Sequence, residues 1–286
     1  MKGAIFDEFS HAKFLVDLTR EGAPLQANGR DVQNVLRRLR DHHNLTHTTL
    51  LGEGHSTQAI PRFPSEGFTR EDSSYVPLTH FLNTILFAAQ MCLTPWAGRY
   101  LSNLSFVPYG KEIKGTIDSV HPLKPDVLGL THSLTSHTPR ASWKDVAIII
   151  EVKHREEETI QQLMTYARCY LAADRRRSFA IAITFDHSTF KFRFLVFHRS
   201  GVSASHGLYV YTETGFEGIV SHMVGILSIQ DEKNFGLDLT SSGTTYRINN
   251  SCYEIVRPIY IRNSVRGRAT VVYSLKGTKL PFGSDS

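Results

Sequence analysis

Asp126, Glu151 and Lys153 are the residues whose types and spacing point most directly to chemistry. Asp126 stands in Lys124-Pro125-Asp126-Val127-Leu128, and Glu151 and Lys153 close the run Val146-Ala147-Ile148-Ile149-Ile150-Glu151-Val152-Lys153. Both runs are short, apolar and rich in β-branched residues, so both read as strands. Alternate side chains of a strand leave the same face, so Glu151 and Lys153 project together. If the two strands pair as a hairpin, Asp126 lies beside them. Two carboxylates and an amine on one patch can hold a divalent cation against a phosphodiester, because Mg²⁺ takes a few carboxylate oxygens together with water and phosphate oxygens. On this reading Asp126 and Glu151 are the ligands of Mg²⁺ (or Mn²⁺). The ion polarises the phosphodiester and lowers the pKa of a water, while Lys153 orients that water or offsets charge building at phosphorus. Without a metal, two close carboxylates repel and one binds a proton more readily.

Plainer readings stand beside this one. An Asp after a proline also serves turns, and Glu151 with Lys153 also reads as a local ion pair on a surface strand. The run from Val146 to Ile150 is apolar throughout, however. That pattern predicts a central strand, buried on both faces, and charges that end a central strand point to function. Downstream, Gln162 and Tyr166 are one helical turn apart and share a face. Both can point back over the strand ends, Gln162 toward a water of the ion and Tyr166 toward a phosphate. Tyr166 also reads as plain core.

The elements that must position these residues follow from periodicity. Residues 1 to about 20 read as a short amphipathic helix carrying Ile5, Phe6, Phe9, Phe14, Leu15 and Leu18. Residues 22–29 read as a linker. Asp31 is expected to cap a helix over residues 32–43, built on Val32, Val35, Leu36 and Leu39. The opposite face of that helix, with Arg37, Arg38 and Arg40, is either solvated or phosphate-contacting. Residues 51–70 are rich in Gly, Pro, Ser and His and read as irregular. Residues 75–92 read as a helix ended before Pro95, and residues 104–117 as one or two strands. The polar stretch 131–142 is a loop, and Trp143 anchors its far end in the core. Residues 156–173 form a helix with Ile160, Leu163, Met164, Ala167, Tyr170 and Leu171 on its buried stripe. Arg175, Arg176 and Arg177 follow its C-terminus, where positive charge suits the helix dipole. Residues 179–185 and 190–197 read as a hairpin, 216–229 as a helix and 253–261 as a strand, while 231–250 is polar and unassigned. His43 and His47 have a metal-like spacing, but Asn44-Leu45-Thr46 interrupts the helix between them and no third ligand is evident.

The whole composition sets bounds. A chain of 286 residues, 41% hydrophobic, makes one large domain or two ordinary ones with a true core. No apolar run approaches a membrane span. The early acidic residues Asp7 and Glu8 argue against a secretory signal. Three scattered cysteines, Cys92, Cys169 and Cys252, fit reduced thiols in an intracellular protein, cytoplasmic or nuclear. A net charge of +5 permits a polyanionic partner without requiring one.

The motif set resembles the PD-(D/E)xK nuclease superfamily. Pro125-Asp126 matches the first half of its signature, Glu151-Val152-Lys153 the second, and Gln162 with Tyr166 the Gln-x-x-x-Tyr helix motif of the RecB-like branch. The resemblance spans roughly residues 75–201. It implies an α/β, restriction-endonuclease-like fold: a mixed central sheet flanked by helices. It also implies a Mg²⁺-dependent phosphodiesterase acting on nucleic acid, DNA before RNA.

A narrower resemblance is to the N-terminal region of the fungal-type protein kinase family, in which a nuclease-like module precedes a divergent kinase domain. It rests on Glu151-Val152-Lys153, on Gln162-Leu163-Met164-Thr165-Tyr166-Ala167-Arg168, on Phe194-Leu195-Val196-Phe197-His198-Arg199-Ser200-Gly201, and on the helix opened by Tyr75-Val76-Pro77-Leu78. The family often has an acid where this chain has His80, and an Asp where it has His198. His80 thus removes an auxiliary metal ligand, and Glu71 and Asp72 lie near it but at the helix start. Arg266-Gly267-Arg268-Ala269-Thr270-Val271-Val272-Tyr273 looks like the start of a kinase glycine-rich loop. The Val-Ala-Ile-Lys, His-Arg-Asp and Asp-Phe-Gly motifs that phosphoryl transfer needs are not in the 286 residues. Kinase activity is therefore not expected from this chain, which reads as a truncated product or as bearing a kinase-like remnant. The implied organisation is a helical N-terminal extension (1–65), a nuclease-like domain (66–230), and a connector leading into the start of a kinase-like N-lobe (231–286). Two functions follow from the resemblance: a metal-dependent nuclease, or a non-catalytic nuclease-like module that binds nucleic acid or regulates a kinase.

Overall fold

The apolar run that ends in Glu151 is the middle of the molecule. A computed structural model describes residues 5–6, 27–50, 62–113, 123–132, 140–154, 156–198, 201–242, 244–248, 251–261 and 271–277. In chain order its elements are β1 (Ile5–Phe6), α1 (Gly29–His43), α2 (His47–Leu50), α3 (Tyr75–Cys92), β2 (Ser105–Pro108), β3 (Val127–Leu130), β4 (Val146–Val152) and α4 (Glu156–Ala173). There follow β5 (Phe179–Asp186), β6 (Lys191–His198), β7 (Gly201–Ala204), β8 (Leu208–Tyr209), α5 (Glu213–Leu227), β9 (Thr245–Ile248), β10 (Ser251–Ile261) and β11 (Val271–Gly277).

The fold is mixed α/β. One sheet runs β1-β7-β6-β5-β4-β3-β2, with β8 added on β6. β4 is antiparallel to β3 and parallel to β5, and α4 makes the crossover that a parallel pair requires. Every residue of β4 is buried, as its unbroken apolar run predicts. Its Ile148, Ile150 and Val152 join a core shared with α1, α3 and α5. On the other face Ile149 packs with Trp143, Leu163, Tyr166 and Tyr170 beneath α4. By strand alternation Glu151 falls on the α4 face. Asp126 directly precedes β3, and its carboxylate reaches both the Val152 N–H and the Tyr75 hydroxyl of α3. α3 is apolar nearly all round because α1, α5 and the sheet all cover it; Leu78, Phe81, Leu82, Ile85 and Ala89 are buried. No described helix is long and apolar enough to cross a membrane, and Cys92, Cys169 and Cys252 are not joined by disulfides.

The structure departs from several expectations. Ile5 and Phe6 form a short strand parallel to β7, not part of a helix; the rest of that expected helix lies outside the described residues, as does the proposed linker apart from its end. Asn28, not Asp31, caps α1, its side chain accepting the Arg30 N–H at 3.2 Å, while Asp31 sits in the first turn where its charge suits the dipole. α5 begins earlier than the apolar pattern suggests because the Thr212 hydroxyl accepts the Gly215 N–H at 3.1 Å and starts the helix there. Residues 104–113 hold one strand, β2. The unassigned stretch contributes β9 to a separate antiparallel sheet ordered β11-β10-β9. The glycine-loop-like residues 266–270 lie outside the described residues, and Val271 onward forms β11.

Arg177 does not simply complement the α4 dipole, as its position suggests; it turns inward. It is 5% exposed, donates to the carbonyls of Trp143 at 2.8 Å and Lys144 at 2.9 Å, and lies 3.8 Å from the Tyr170 ring centroid. It ties the end of α4 to the turn that starts β4. Arg177→Met should therefore lower the urea-unfolding free energy by about 2–4 kcal/mol, since two carbonyls lose a charged donor inside the core. Arg176→Met, at a residue whose guanidinium pairs with Asp174 on the partly exposed side, should change it by only about 1 kcal/mol.

Candidate functional site

Pairing of β3 with β4, Val127 opposite Ile150, brings Asp126 to the end of β4. One Asp126 oxygen, Oδ2, accepts the Val152 N–H at 2.8 Å, and the other, Oδ1, faces the Tyr75 hydroxyl at 2.7 Å. The Lys153 N–H donates to Phe185 O at 3.0 Å, carrying the β4–β5 ladder one residue past the strand and fixing the lysine backbone. Lys153 Nζ then lies 3.4 Å from Glu151 Oε1 and 3.4 Å from both oxygens of Glu71. Glu71 enters from the 3₁₀ turn that leads into α3, and its Oε1 is 2.9 Å from the same Tyr75 hydroxyl. A phenol has one proton, so Tyr75 cannot donate to Asp126 and Glu71 together. One of those two carboxyls must supply a proton to the contact or leave it unbonded.

Glu151 is 0% exposed, and neither of its oxygens has a hydrogen-bond partner among the described residues. The 3.4 Å approach of Lys153 is a charge contact without hydrogen-bond geometry. Burial first, then the charge of Asp126, pushes the Glu151 carboxyl up to about 9, against the pull of Lys153. Burial also raises Asp126, although Tyr75 and the Val152 N–H oppose it. For Lys153, burial works against the ammonium, but Glu151, Asp126 and Glu71 outweigh it and raise its pKa. Burial and the neighbouring acids Asp126 and Glu71 hold Tyr75 protonated. Around Glu151 one ammonium thus faces Asp126, Glu71 and Glu151 itself. The buried, unbonded oxygens of Glu151 beside Asp126 are of the donor type that a small oxygen-seeking cation takes. Among the described residues no three His, Cys, Asp or Glu side chains form a metal-holding group. An ion here would rest on Asp126 and Glu151, completed by water and phosphate oxygens, which is how Mg²⁺ commonly binds.

Gln162 and Tyr166 reach the same region from α4. Gln162 Nε2 donates to the Tyr166 hydroxyl at 2.5 Å, so its amide is engaged with the tyrosine and stands one step back from the carboxylates. Tyr166 is 1% exposed, and its phenol is pushed up by burial and by the charges of Glu151 and Asp126. It is both core and border of the centre. The half-buried His80 makes no side-chain hydrogen bond or ion pair among the described residues. His198 pairs with Phe179 at the start of β5, whereas Glu151 and Val152 pair with its far end, Thr184 and Phe185. The two ends are about 20 Å apart, so an acid at position 198 would not reach the centre.

A family model described as fungal protein kinase matches residues 124–280, more than half of the chain. The chain belongs to the fungal protein kinase family. Comparison with curated proteins and with solved structures gave no match. In this fungal protein kinase family member the matched segment opens two residues before Asp126 and holds Glu151, Lys153, Gln162 and Tyr166. Glu71 and Tyr75 come from outside it and complete the geometry. In the sequence Glu71 lies before the helix and Tyr75 at its first residue, so neither stands out as part of the site. Their i, i+4 spacing at a helix entrance was the available signal.

The raised Glu151 pKa has a sign that can be tested. Between its ordinary value of 4.5 and about 9 the unfolded chain loses the proton and the folded one keeps it. Native protein then binds more protons than unfolded, so stability without divalent metal falls as pH rises through that window. Asp126, also raised, adds in the same direction. Urea unfolding in EDTA at pH 5.5 and 8 should show the higher midpoint at pH 5.5. Glu151→Gln should flatten the difference, and an unchanged pH slope in that variant would contradict the assignment.

Proposed function

We propose that Asp126, Glu151 and Lys153 form a divalent-metal-dependent phosphodiesterase centre of the PD-(D/E)xK type within a restriction-endonuclease-like α/β domain, acting on nucleic acid, DNA before RNA. The observation that carries the reading is the Glu151 carboxylate: fully buried, with both oxygens unbonded, beside a second buried carboxylate and an ammonium. Mg²⁺ held by Asp126 and Glu151 would neutralise that pair and polarise a phosphodiester oxygen.

The chain's own residues supply the rest. The Val152 N–H and the Tyr75 hydroxyl hold the Asp126 carboxylate in place. Lys153, 27% exposed at its side chain, can reach a phosphate and offset the negative charge that grows at phosphorus during attack. Glu71 takes up the free side of Lys153 and sets the direction of its ammonium. It stands where it can substitute in charge, though not in position, for the acid missing at His80. Tyr166, held by Gln162, closes the buried side of the centre, and its 1% exposure keeps it from a phosphate in solution.

A second reading is favoured by one contact. Tyr75 already covers Asp126 Oδ1 at 2.7 Å, an arrangement that suits a nuclease-like module retained for binding or for regulating an attached kinase. Incubation of the protein with plasmid DNA and Mg²⁺ separates the two. The nuclease reading expects cleavage that falls by at least about 100-fold in Asp126→Ala and in Lys153→Ala, the scale of losing a principal electrostatic stabiliser. Equal cleavage by wild type and variants would refute it. No cleavage, together with calorimetric Mg²⁺ binding lost in Glu151→Gln, would leave the non-catalytic module.

A further inference from the structure

At the opposite end of β4 lies a cleft of about 390 Å³ between the C-terminal end of α4 and the three-stranded sheet. Lys144 precedes β4 and Lys153 follows it, so the cleft and the carboxylate centre are separated by a seven-residue strand, about 20 Å. The volume is within the range of small-ligand sites.

Its charge is one-sided. Asp174 lines the cleft, but its carboxylate is already held by Arg176, Nη2 to Oδ2 at 2.6 Å and Nε to Oδ1 at 3.0 Å. Lys144 and Arg175 also line it and have no carboxylate partner among the described residues. The Arg175 guanidinium lies 6.0 Å from the Tyr273 ring centroid, and its Nη1 is buried with no hydrogen bond. A helix dipole accounts for a cation after α4. It does not account for Lys144, which comes from the turn before β4, nor for the wall opposite. That wall is apolar and aromatic: Ile255 and Pro258 of β10, with Tyr273 of β11 beside Tyr246 of β9 at 5.6 Å between ring centroids. Two cations without a carboxylate partner among the described residues at one side, and apolar and aromatic side chains at the other, suit a ligand that is anionic at one end and carries a ring at the other.

We propose that this cleft binds a phosphomonoester carried on a planar ring system, the chemistry of a nucleoside monophosphate. The phosphate meets Lys144 and Arg175, which together match its charge of about −2 at neutral pH. Arg175 is the stronger contact, since its fork presents paired donors to phosphate oxygens. The ring lies against Pro258, Ile255 and the Tyr273 side chain. This site is independent of the carboxylate centre and stands whether or not that centre cleaves phosphodiesters.

Calorimetric titration of the full 286-residue chain with AMP, with adenosine and with inorganic phosphate tests it. Saturable AMP binding is expected, at least about 10-fold tighter than either fragment alone because both ends of the cleft are then used. Lys144→Gln, a change at an exposed residue that leaves folding undisturbed, should weaken AMP about 10-fold, and Arg175→Gln by more, while Asp126→Ala should bind AMP as wild type does. Any of three results would overturn the proposal: no saturation by AMP, AMP no tighter than phosphate or adenosine, or AMP affinity that is unchanged in Lys144→Gln or lost in Asp126→Ala.

Discussion

The burial of one carboxylate governs the organisation of this protein. β4 is apolar along its length and is covered on both faces, so the side chain at its penultimate position cannot reach water. An uncompensated carboxylate there is costly, and the surroundings of Glu151 are the response. Lys153 returns over it, its own pKa rises, and the carboxyl holds a proton well above the usual range. None of these supplies a hydrogen bond to either Glu151 oxygen. A purely structural acid in a core is normally bonded on both oxygens. Its lack of donors is the physical ground for regarding the position as a place for a ligand.

The centre is composite. The strand pair and α4 lie inside the segment matched to the fungal protein kinase family, while Glu71 and Tyr75 arrive with α3 from before it. The join is made by packing: α3 is locked against α1, α5 and the sheet through Phe81, Ile85 and Ala89, which sets where its first residue falls. The single Tyr75 proton shared between Asp126 and Glu71 then couples the helix entrance to the strand ends. Charge is distributed unevenly along the same strand. Acids gather where β4 ends, and Lys144 and Arg175, without a carboxylate partner among the described residues, lie where it begins, with α4 spanning the two. A mild overall charge of +5 conceals this separation.

Much of this was legible in the residues. The α3 and α4 boundaries, the β3–β4 and β5–β6 pairings and the burial of Trp143 follow from apolar periodicity and turn chemistry, which act over a few residues. So does the shared face of Glu151 and Lys153, since alternation is a local property of a strand. Local signals failed where a distant partner decided the outcome. Ile5 and Phe6 carry a helix-like apolar pattern but pair with β7. Arg177 sits in a basic triplet whose place after α4 suits the helix dipole, yet the Trp143 and Lys144 carbonyls and the Tyr170 ring draw it inward.

The sequence by itself determined that a central strand would end in a paired acid and amine, that a second acid would begin its neighbour, and that a helix bearing Gln162 and Tyr166 would follow. These are consequences of side-chain type and spacing within single elements. Only the tertiary structure decided that Glu71 and Tyr75 join them, that Gln162 is held by Tyr166, and that position 198 is at the far end of the sheet. It also set Lys144 and Arg175 on one cleft with no carboxylate partner among the described residues. Each of these depends on which surfaces come together when the core closes, and electrostatic partners separated by tens of residues are chosen by that packing.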